Sequence, residues 1–152
     1  WGLRFDVAMA ELAALHQTPM VLMHNQDEVL YSDLLNEVKD SLKQSVWKAK
    51  QVGLKDENII LDPGIGFAKS TKDSLEIIRR LKEIKDLGYP VLLGTSRKSF
   101  IGSVLDLPVE QRLEGSSATV ALAIANGADI VRVHDVKAMT RVARMADAVV
   151  RG

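Results

Sequence analysis

The sequence predicts a parallel α/β fold in which short buried strands alternate with helices. Four apolar runs are separated by stretches with the periodicity of amphipathic helices. Each run ends in polar residues, as is typical where parallel strands open into an active site. The runs and their polar ends are Met20–Met23 into His24-Asn25, Ile59–Leu61 into Asp62-Pro63-Gly64, Val91–Leu93 into Gly94-Thr95-Ser96-Arg97-Lys98, and Ile130–Val131 into Arg132-Val133-His134-Asp135.

The stretches around the first strand predict two helices. Phe5–His16 carries apolar residues at helical spacing and stops before Thr18-Pro19. Asp33–Val52 has a single apolar stripe, and Gly53 supplies a C-terminal cap. Trp47 lies beside that stripe, and we predict that it packs into the core.

Three further helices are predicted in the second half of the chain. Asp73–Leu87 begins with an aspartate three residues before a glutamate, like a capping box, and ends at Gly88. Glu110–Asn126 has small residues on several faces, so it can approach its neighbours closely. Ala138–Val149 is the last predicted helix.

The strand spacing leaves two arrangements open for a single domain spanning residues 1–152. The strands start about 30–40 residues apart, which suits right-handed parallel crossovers. Four such units form either a small open doubly wound sheet or half of an eight-stranded barrel. Open sheets tend to carry a glycine-rich phosphate loop after the first strand, and His24-Asn25-Gln26-Asp27 is not one. This favours half a barrel.

The composition excludes several classes of function. Lysine and arginine together number 20, as do aspartate and glutamate, so no overall charge favours nucleic acid or an anionic membrane. The absence of cysteine excludes disulfides and thiolate chemistry and allows a reducing compartment. The longest apolar stretch, around Ala118–Ala125, is far shorter than the roughly 20 residues that span a bilayer. The first residue is Trp1, so we expect a fragment or a chain whose beginning is missing.

Asp62 is the first candidate functional residue. A carboxylate at the end of an apolar strand is poorly solvated and needs hydrogen-bond donors. It could accept two parallel hydrogen bonds from the N–C–NH₂ edge of a guanine-like or pterin-like ring. The alternative is a turn aspartate that caps local amides.

Two further strand ends carry cations. Arg97 and Lys98 lie among hydroxyls and glycines, which favours a ligand-facing loop over an ordinary basic surface, and a lysine suits a carbonyl or phosphate oxygen. Arg132 and His134 alternate along a strand, so they point the same way and form an anion clamp. Arg132 could also pair with a buried acid such as Asp62. His24 is interpreted as structural, and no spacing indicates metal ligands.

Taken together, these motifs resemble the dihydropteroate synthase family. The matching residues occur in the family's order from Met20 to Val136. They are Met23-His24-Asn25, Leu61-Asp62-Pro63-Gly64-Ile65-Gly66-Phe67 with Lys69, Gly94-Thr95-Ser96-Arg97-Lys98-Ser99-Phe100-Ile101-Gly102, Gly115-Ser116-Ser117-Ala118, and Arg132-Val133-His134-Asp135-Val136.

The resemblance implies the second half of a (β/α)8 TIM barrel. It also implies that 4-aminobenzoate is joined to a dihydropterin methyl diphosphate, with release of diphosphate, in folate biosynthesis. By position, Asp62 resembles the residue that binds the amino edge of the pterin. Lys98 resembles the one that reaches the ring carbonyl and the aminobenzoate region, and Arg132 and His134 resemble the diphosphate anchor. Lys98, Arg132 and His134 are the expected catalytic residues.

The same resemblance assigns the remaining contacts. Ser99 and Phe67 look like aminobenzoate contacts, and Arg97 is expected to shape that loop rather than touch diphosphate. Met23 and Gly94 would line the pterin slot.

The resemblance also implies partners beyond this chain. A bound Mg²⁺ is expected, with its main ligand in a missing N-terminal half, because Trp1-Gly2-Leu3-Arg4 looks like the stretch just after the family's fourth strand. The family is a dimer through its last helices, so a homodimer is expected, in the cytoplasm. We expect little or no activity from the isolated chain. Two alternatives are a pterin-binding methyltransferase domain and a non-catalytic truncated scaffold that binds pterin.

Overall fold

The computed structural model describes residues 6–152, in which four parallel strands alternate with seven α-helices. Trp1–Arg4 and the predicted helix start at Phe5 lie outside the described residues. Two 3-10 turns, Asp56–Asn58 and Val109–Gln111, complete the secondary structure. The elements are α1 Val7–His16, β1 Met20–Met23, α2 Leu34–Gln51, β2 Ile59–Asp62, α3 Thr71–Arg79, α4 Leu81–Lys85, β3 Leu92–Leu93, α5 Ser99–Leu105, α6 Leu113–Ala125, β4 Ile130–Val131 and α7 Val136–Val150.

The strands lie side by side in chain order. β1 and β2 pair in parallel from Met20 opposite Ile59 to Met23 opposite Asp62. β3 and β4 pair in parallel with Leu92 opposite Ile130. A parallel bridge between Leu61 and Val91 joins the two pairs. The predicted parallel α/β fold is therefore confirmed.

This strand order decides between the two arrangements that the sequence left open. Right-handed connections between strands in sequential order place every crossover helix on the same face, whereas a doubly wound sheet needs the order to reverse. Leu22, Leu61 and Leu93 are buried in the core that the helices share. Val21 and Ile130, by contrast, are 43% and 38% exposed. The strands therefore have one helix-covered face and one open face, as in a segment of a barrel.

The third predicted helix is two helices, and its predicted cap was wrong. The capping box joins Ser70 and Asp73, whose side chain accepts from the Ser70 backbone N–H at 2.9 Å. The helical path breaks at Arg80, where φ is −106° and ψ is 22°. The Asn126 side-chain amide donates to the Ile78 carbonyl at 2.8 Å, taking a carbonyl that a continuous helix would use itself.

Two other predictions differ from the structure. Trp47 is 62% exposed, so its predicted core packing was wrong. The buried stripe of α2 passes through Val46 and Ala49, and Trp47 lies outside it. The loop after β3 was predicted without a helix, yet α5 begins at Ser99. No helix in residues 6–152 is long and apolar enough to cross a membrane.

Close packing of α5 against α6 depends on a glycine. A Cβ atom at Gly115 would overlap the Ile101 side chain and lie 2.9 Å from Leu105 Cδ1. The missing side chain lets α5 lie directly on α6. The small residues of the predicted Glu110–Asn126 helix therefore do allow close approach, although α6 begins only at Leu113.

Candidate functional site

Polar side chains from the ends of β3 and β4 share one groove. The groove has a volume of about 350 Å³ and opens at the carboxyl ends of the strands. Two cationic side chains from the loop after β3 face an arginine and a histidine from the end of β4. Its lining consists of Gly94, Ser96, Arg97, Lys98, Val109, Arg132 and His134.

Asp62 ends β2 beside this groove. Its Oδ1 accepts a 2.7 Å hydrogen bond from the Gly64 backbone N–H, so Asp62 does cap a local amide in the turn. Burial raises the pKa of the Asp62 carboxyl, and the Gly64 N–H together with the charges of Lys98, Lys69 and Arg132 oppose that rise. A poorly solvated carboxylate within reach of these cations is suited to bind a ligand that supplies further donors.

Lys98 connects the loop after β2 with the loop after β3. Its Nζ donates to the Ile65 carbonyl and lies 4.8 Å from the centroid of the Phe67 ring. Burial lowers the pKa of Lys98, while the charge of Asp62 raises it. Gly66 has a φ of +73°, and a Cβ there would lie only 3.1 Å from Lys98 Cδ. A glycine at this position therefore leaves the lysine chain its path between the loops.

Arg97 shapes its loop rather than presenting a free cation. Its guanidinium binds Asp135 through two hydrogen bonds, of 2.9 Å from Nε and 2.5 Å from Nη2. Its backbone adopts a φ of 58°, and its N–H donates to Ser116 Oγ at 2.9 Å. The hydrogen bond from Arg97 lowers the pKa of Asp135. The two charges hold the loops after β3 and β4 together.

Arg132 and His134 both face the groove, as their alternation predicts. The Arg132 backbone N–H donates to the Leu93 carbonyl at 3.0 Å, which continues the β3–β4 pairing. The His134 ring Nδ1 lies 3.1 Å from Ser96 Oγ, which also accepts from the His134 backbone N–H at 3.2 Å. Arg132 forms no ion pair with Asp62, although both lie in the described part of the chain, and its charge acts on that carboxyl through space.

The remaining predicted residues lie around these groups. Met23 ends β1 directly opposite Asp62. Phe67 is 44% exposed against Lys98. Gly94 is buried, and a Cβ there would lie 3.8 Å from Arg132 Cβ. Ser99 begins α5 on the surface and does not line the groove, so the structure leaves it apart from the other candidates.

Three residues in the site are not among the predicted functional residues. Ser96 is buried and holds His134, and Asp135 holds Arg97. Lys69 is only 9% exposed, and its Nζ lies 2.8 Å from Nδ1 of His24, which is also buried. All three belong to motifs that the sequence displays, but nothing in the sequence indicates that Lys69 is buried.

Comparison with known proteins places the chain in a family. The family model described as "Pterin binding enzyme" matches residues 1–134. The chain belongs to this family. It is 55% identical over 148 residues to the dihydropteroate synthase of Bacillus subtilis, an alignment that covers 97% of this chain and 52% of that protein. The chain therefore spans about half the length of the curated relatives it matches.

Solved structures of pterin-binding enzymes show the same fold. A Clostridium difficile dihydropteroate synthase, determined with pteroic acid, superimposes with a TM-score of 0.97 at 50% identity and covers 100% of this chain and 58% of its own. A Thermus thermophilus dihydropteroate synthase in complex with 4-aminobenzoate gives a TM-score of 0.90 at 36% identity, covering 95% and 59%.

Within residues 6–152, no three histidine, aspartate or glutamate side chains come together as a metal site. The described part of the chain therefore supplies no set of three side-chain ligands for a metal ion.

Proposed function

We propose that this chain supplies the C-terminal half of the active site of a cytoplasmic dihydropteroate synthase. The reaction joins 4-aminobenzoate to (7,8-dihydropterin-6-yl)methyl diphosphate and releases diphosphate. The observation that carries the proposal is the convergence of one partly buried carboxylate, Asp62, with the cations Lys98 and Arg132 at one edge of the strands. The pteroic acid and 4-aminobenzoate bound by the solved relatives support this choice of substrates.

The pterin end of the substrate fits the Asp62 side of the groove. A pterin presents a ring N–H beside an exocyclic amino group, and one carboxylate can accept from both. The Lys98 ammonium has three donors and no acceptor, so it suits the adjacent ring carbonyl. Met23, opposite Asp62 in the sheet, and Gly94, which has no side chain, leave a flat ring room to lie between them.

The diphosphate end fits the pair on β4. Breaking the methylene C–O bond moves an electron pair onto the diphosphate, and Arg132 and His134 lie where they can stabilise that charge. The dihydropterin ring delocalises the positive charge left on the methylene. The amine nitrogen of 4-aminobenzoate then forms the new C–N bond and releases a proton to solvent. The nucleophile needs positioning more than deprotonation.

The 4-aminobenzoate contacts come from the two loops that Lys98 joins. Phe67 presents a half-exposed ring, and the Lys98 ammonium lies over its face. Arg97 keeps the second loop in place through Asp135. Ser99 stands at the surface end of that loop, and we include it as a contact made when the second substrate binds.

The open faces of the molecule indicate what completes it. Val21 and Ile130, half-exposed on the face away from the helices, would be covered by the other strands of a (β/α)8 barrel.

A separate apolar groove of about 610 Å³ lies between α6 and α7. We propose that it forms the homodimer contact, because Leu122, Met145 and Val149 are each more than half exposed there.

The chain alone is expected to bind its ligands weakly and turn over little or nothing. It carries groups for the pterin, aminobenzoate and diphosphate, but the relatives are about twice as long. Measurable turnover by the purified chain would contradict this expectation. A methyltransferase domain is disfavoured, because it has no need for Arg97, Lys98 and Ser99 beside the anion clamp at residues 132 and 134.

Calorimetric titration with dihydropterin methyl diphosphate tests the proposal. The chain is compared with Asp62→Asn and Arg132→Ala, and with Lys137→Ala, which removes an exposed cation outside the groove. We expect the first two changes to weaken binding about 10-fold or more and the control to have no effect. Equal binding by all four proteins would overturn the proposal.

Complementation separates a missing half-site from a wrong assignment. The titration and an activity assay are repeated with the N-terminal part of the Bacillus subtilis relative joined to this chain. Recovery of turnover, lost again in Arg132→Ala, is the expected result. A complemented protein that folds but neither binds nor reacts would show that the assigned function is wrong.

A further inference from the structure

Lys69 is the one buried cation of the site that the proposed reaction does not use. Lys69 belongs to the loop after β2 and is only 9% exposed. The Nζ atom donates to the Phe67 carbonyl at 3.1 Å, lies 2.8 Å from His24 Nδ1 and stands 5.9 Å from the Tyr31 ring centroid. These contacts link the end of β1 with the loop that follows β2.

The contact with His24 defines the form of the imidazole. An ammonium group has no acceptor, so His24 Nδ1 must accept and the ring proton resides on Nε2. Burial lowers the pKa of Lys69 to about 8, and the charge of Lys98 lowers it further. The charges of Asp62 and Asp73 act in the opposite direction and raise it. Lys69 is therefore mainly an ammonium at neutral pH, and its charge is lost as the pH rises through about 8.

Two lysines hold the same loop from opposite ends. Lys69 binds the Phe67 carbonyl, and Lys98 binds the Ile65 carbonyl. The loop also lies directly on the end of β1, since a Cβ at Gly64 would overlap the His24 carbonyl oxygen. The Gly64 N–H that donates to Asp62 belongs to this loop, so the position of the loop sets the orientation of that carboxylate.

We propose that Lys69 is a positioning residue of the pterin subsite. It holds residues 64–68 and the His24 ring in the arrangement that orients Asp62 toward the ligand. An apolar side chain of similar length would fill the same volume without the cost of burying a charge, yet it could not donate to both His24 and Phe67. The role assigned to Lys69 rests on the proposed function, because it presumes that Asp62 binds the pterin.

The first test compares Lys69→Met with Lys39→Met. Lys39 is also shielded, with a 19% exposed side chain that pairs with Glu83 at 3.2 Å, away from the groove. We expect Lys69→Met to weaken binding of pteroic acid to the complemented protein about fivefold or more, and Lys39→Met to leave it unchanged. Equal affinity of Lys69→Met and the unsubstituted protein overturns the role of Lys69.

A second readout does not depend on ligand binding. The chain contains three histidines, so ¹⁵N NMR of the ring nitrogens can resolve His24. Lys69→Met removes the donor to Nδ1, and a mixture of ring tautomers is expected for His24, but not in Lys39→Met. Unchanged His24 signals in Lys69→Met contradict the proposal.

If Lys69→Met does not fold, the unsubstituted protein supplies the test. The His24 ring signals and the pteroic acid affinity should both change as the pH rises through about 8. A flat response of both from pH 6.5 to pH 9.5 overturns the inference. Failure of the unsubstituted complemented protein to bind pteroic acid overturns the proposed function and this inference together, whereas equal binding by Lys69→Met overturns the inference alone.

Discussion

At the scale of single residues, the ionisation of Asp62 makes the stability of the folded chain depend on pH in a defined direction. Burial raises the pKa of its carboxyl in the folded chain. When folding raises the pKa of a carboxyl, the protonated carboxyl stabilises the folded chain. This contribution is fully present below the pKa of the unfolded chain and is lost as the pH rises through the pKa of the folded chain. At neutral pH the ionised Asp62 therefore destabilises the unliganded fold.

Asp62→Asn is expected to raise the melting temperature at pH 7 by about 2 °C or more while it weakens pterin binding. The difference should shrink as the pH is lowered toward 4, and thermal unfolding at both pH values measures it. Asp40→Asn is the control, because Asp40 forms an exposed ion pair with Lys43 on α2. A lower melting temperature for Asp62→Asn at pH 7 would show that the nearby cations outweigh the burial of the carboxylate.

Ser96 offers a second prediction at this scale. Its buried hydroxyl contacts both the ring and the backbone N–H of His134. Ser96→Ala should free the imidazole to rotate and weaken binding of inorganic diphosphate about three- to tenfold, as measured by calorimetry on the complemented protein. Ser103→Ala, which removes an exposed hydroxyl on α5, should have no effect. An unchanged affinity in Ser96→Ala would exclude a positioning role for this serine.

The sequence could identify the groups of the site but not how they are held. Asp62, Lys98, Arg132 and His134 follow apolar strands directly, and parallel strands bring such ends to one edge. The partnership of Lys69 with His24 joins residues 45 positions apart and depends on how a loop folds over β1. No local pattern carries that information. The roles of the predicted residues remain predictions until the substitutions are made.

At the scale of elements, the contact between α5 and α6 predicts the sign of a substitution. Gly115 lies inside α6, where alanine would normally be favoured by about 1 kcal/mol. Here its Cβ would overlap Ile101, so Gly115→Ala should destabilise the chain by about 1–3 kcal/mol, measured by urea unfolding. Ala118→Gly, an exposed change on the same helix, measures the difference in helix propensity between alanine and glycine without adding a Cβ at the contact with Ile101. A more stable Gly115→Ala variant would contradict the close packing described for α5 and α6.

The elements themselves could be predicted unevenly. Strand positions followed from short apolar runs, and all four runs became strands within a residue of their predicted bounds. The break at Arg80 could not be predicted from local sequence, because the amide that binds the Ile78 carbonyl belongs to Asn126, the residue after α6, 48 positions away. Trp47 was misassigned because one step along a helix turns a side chain by about 100°, enough to leave the buried stripe.

At the scale of the whole molecule, the apolar groove between α6 and α7 predicts self-association. Leu122 and Met145 are 56% and 65% exposed on facing helices. A dimer would bury both, so the unsubstituted chain should sediment as a dimer at micromolar concentration and Leu122→Glu or Met145→Glu as a monomer. Val29→Glu, an equally exposed apolar position elsewhere, is the control. A monomeric mass for the unsubstituted chain would contradict the dimer.

Half of a barrel could be predicted from the sequence only as one of two arrangements. The spacing of the strands suits an open sheet as well. The absence of a glycine-rich loop argues against an open sheet but is no direct evidence for a barrel. The order of the strands, β1 to β4 without reversal, resolves the choice, because it places the helices on one face. Strand order depends on long-range pairing, which periodicity does not encode.

The ion pair between Arg97 and Asp135 has a consequence for how this molecule can change over generations. The two residues lie 38 positions apart on different loops, yet each fixes the other's loop beside the groove. Loss of either charge leaves its partner without a counter-ion and loosens both walls at once. Lineages that alter one loop to discriminate between ligands are therefore expected to alter the other in step, so the two loops evolve as a single unit.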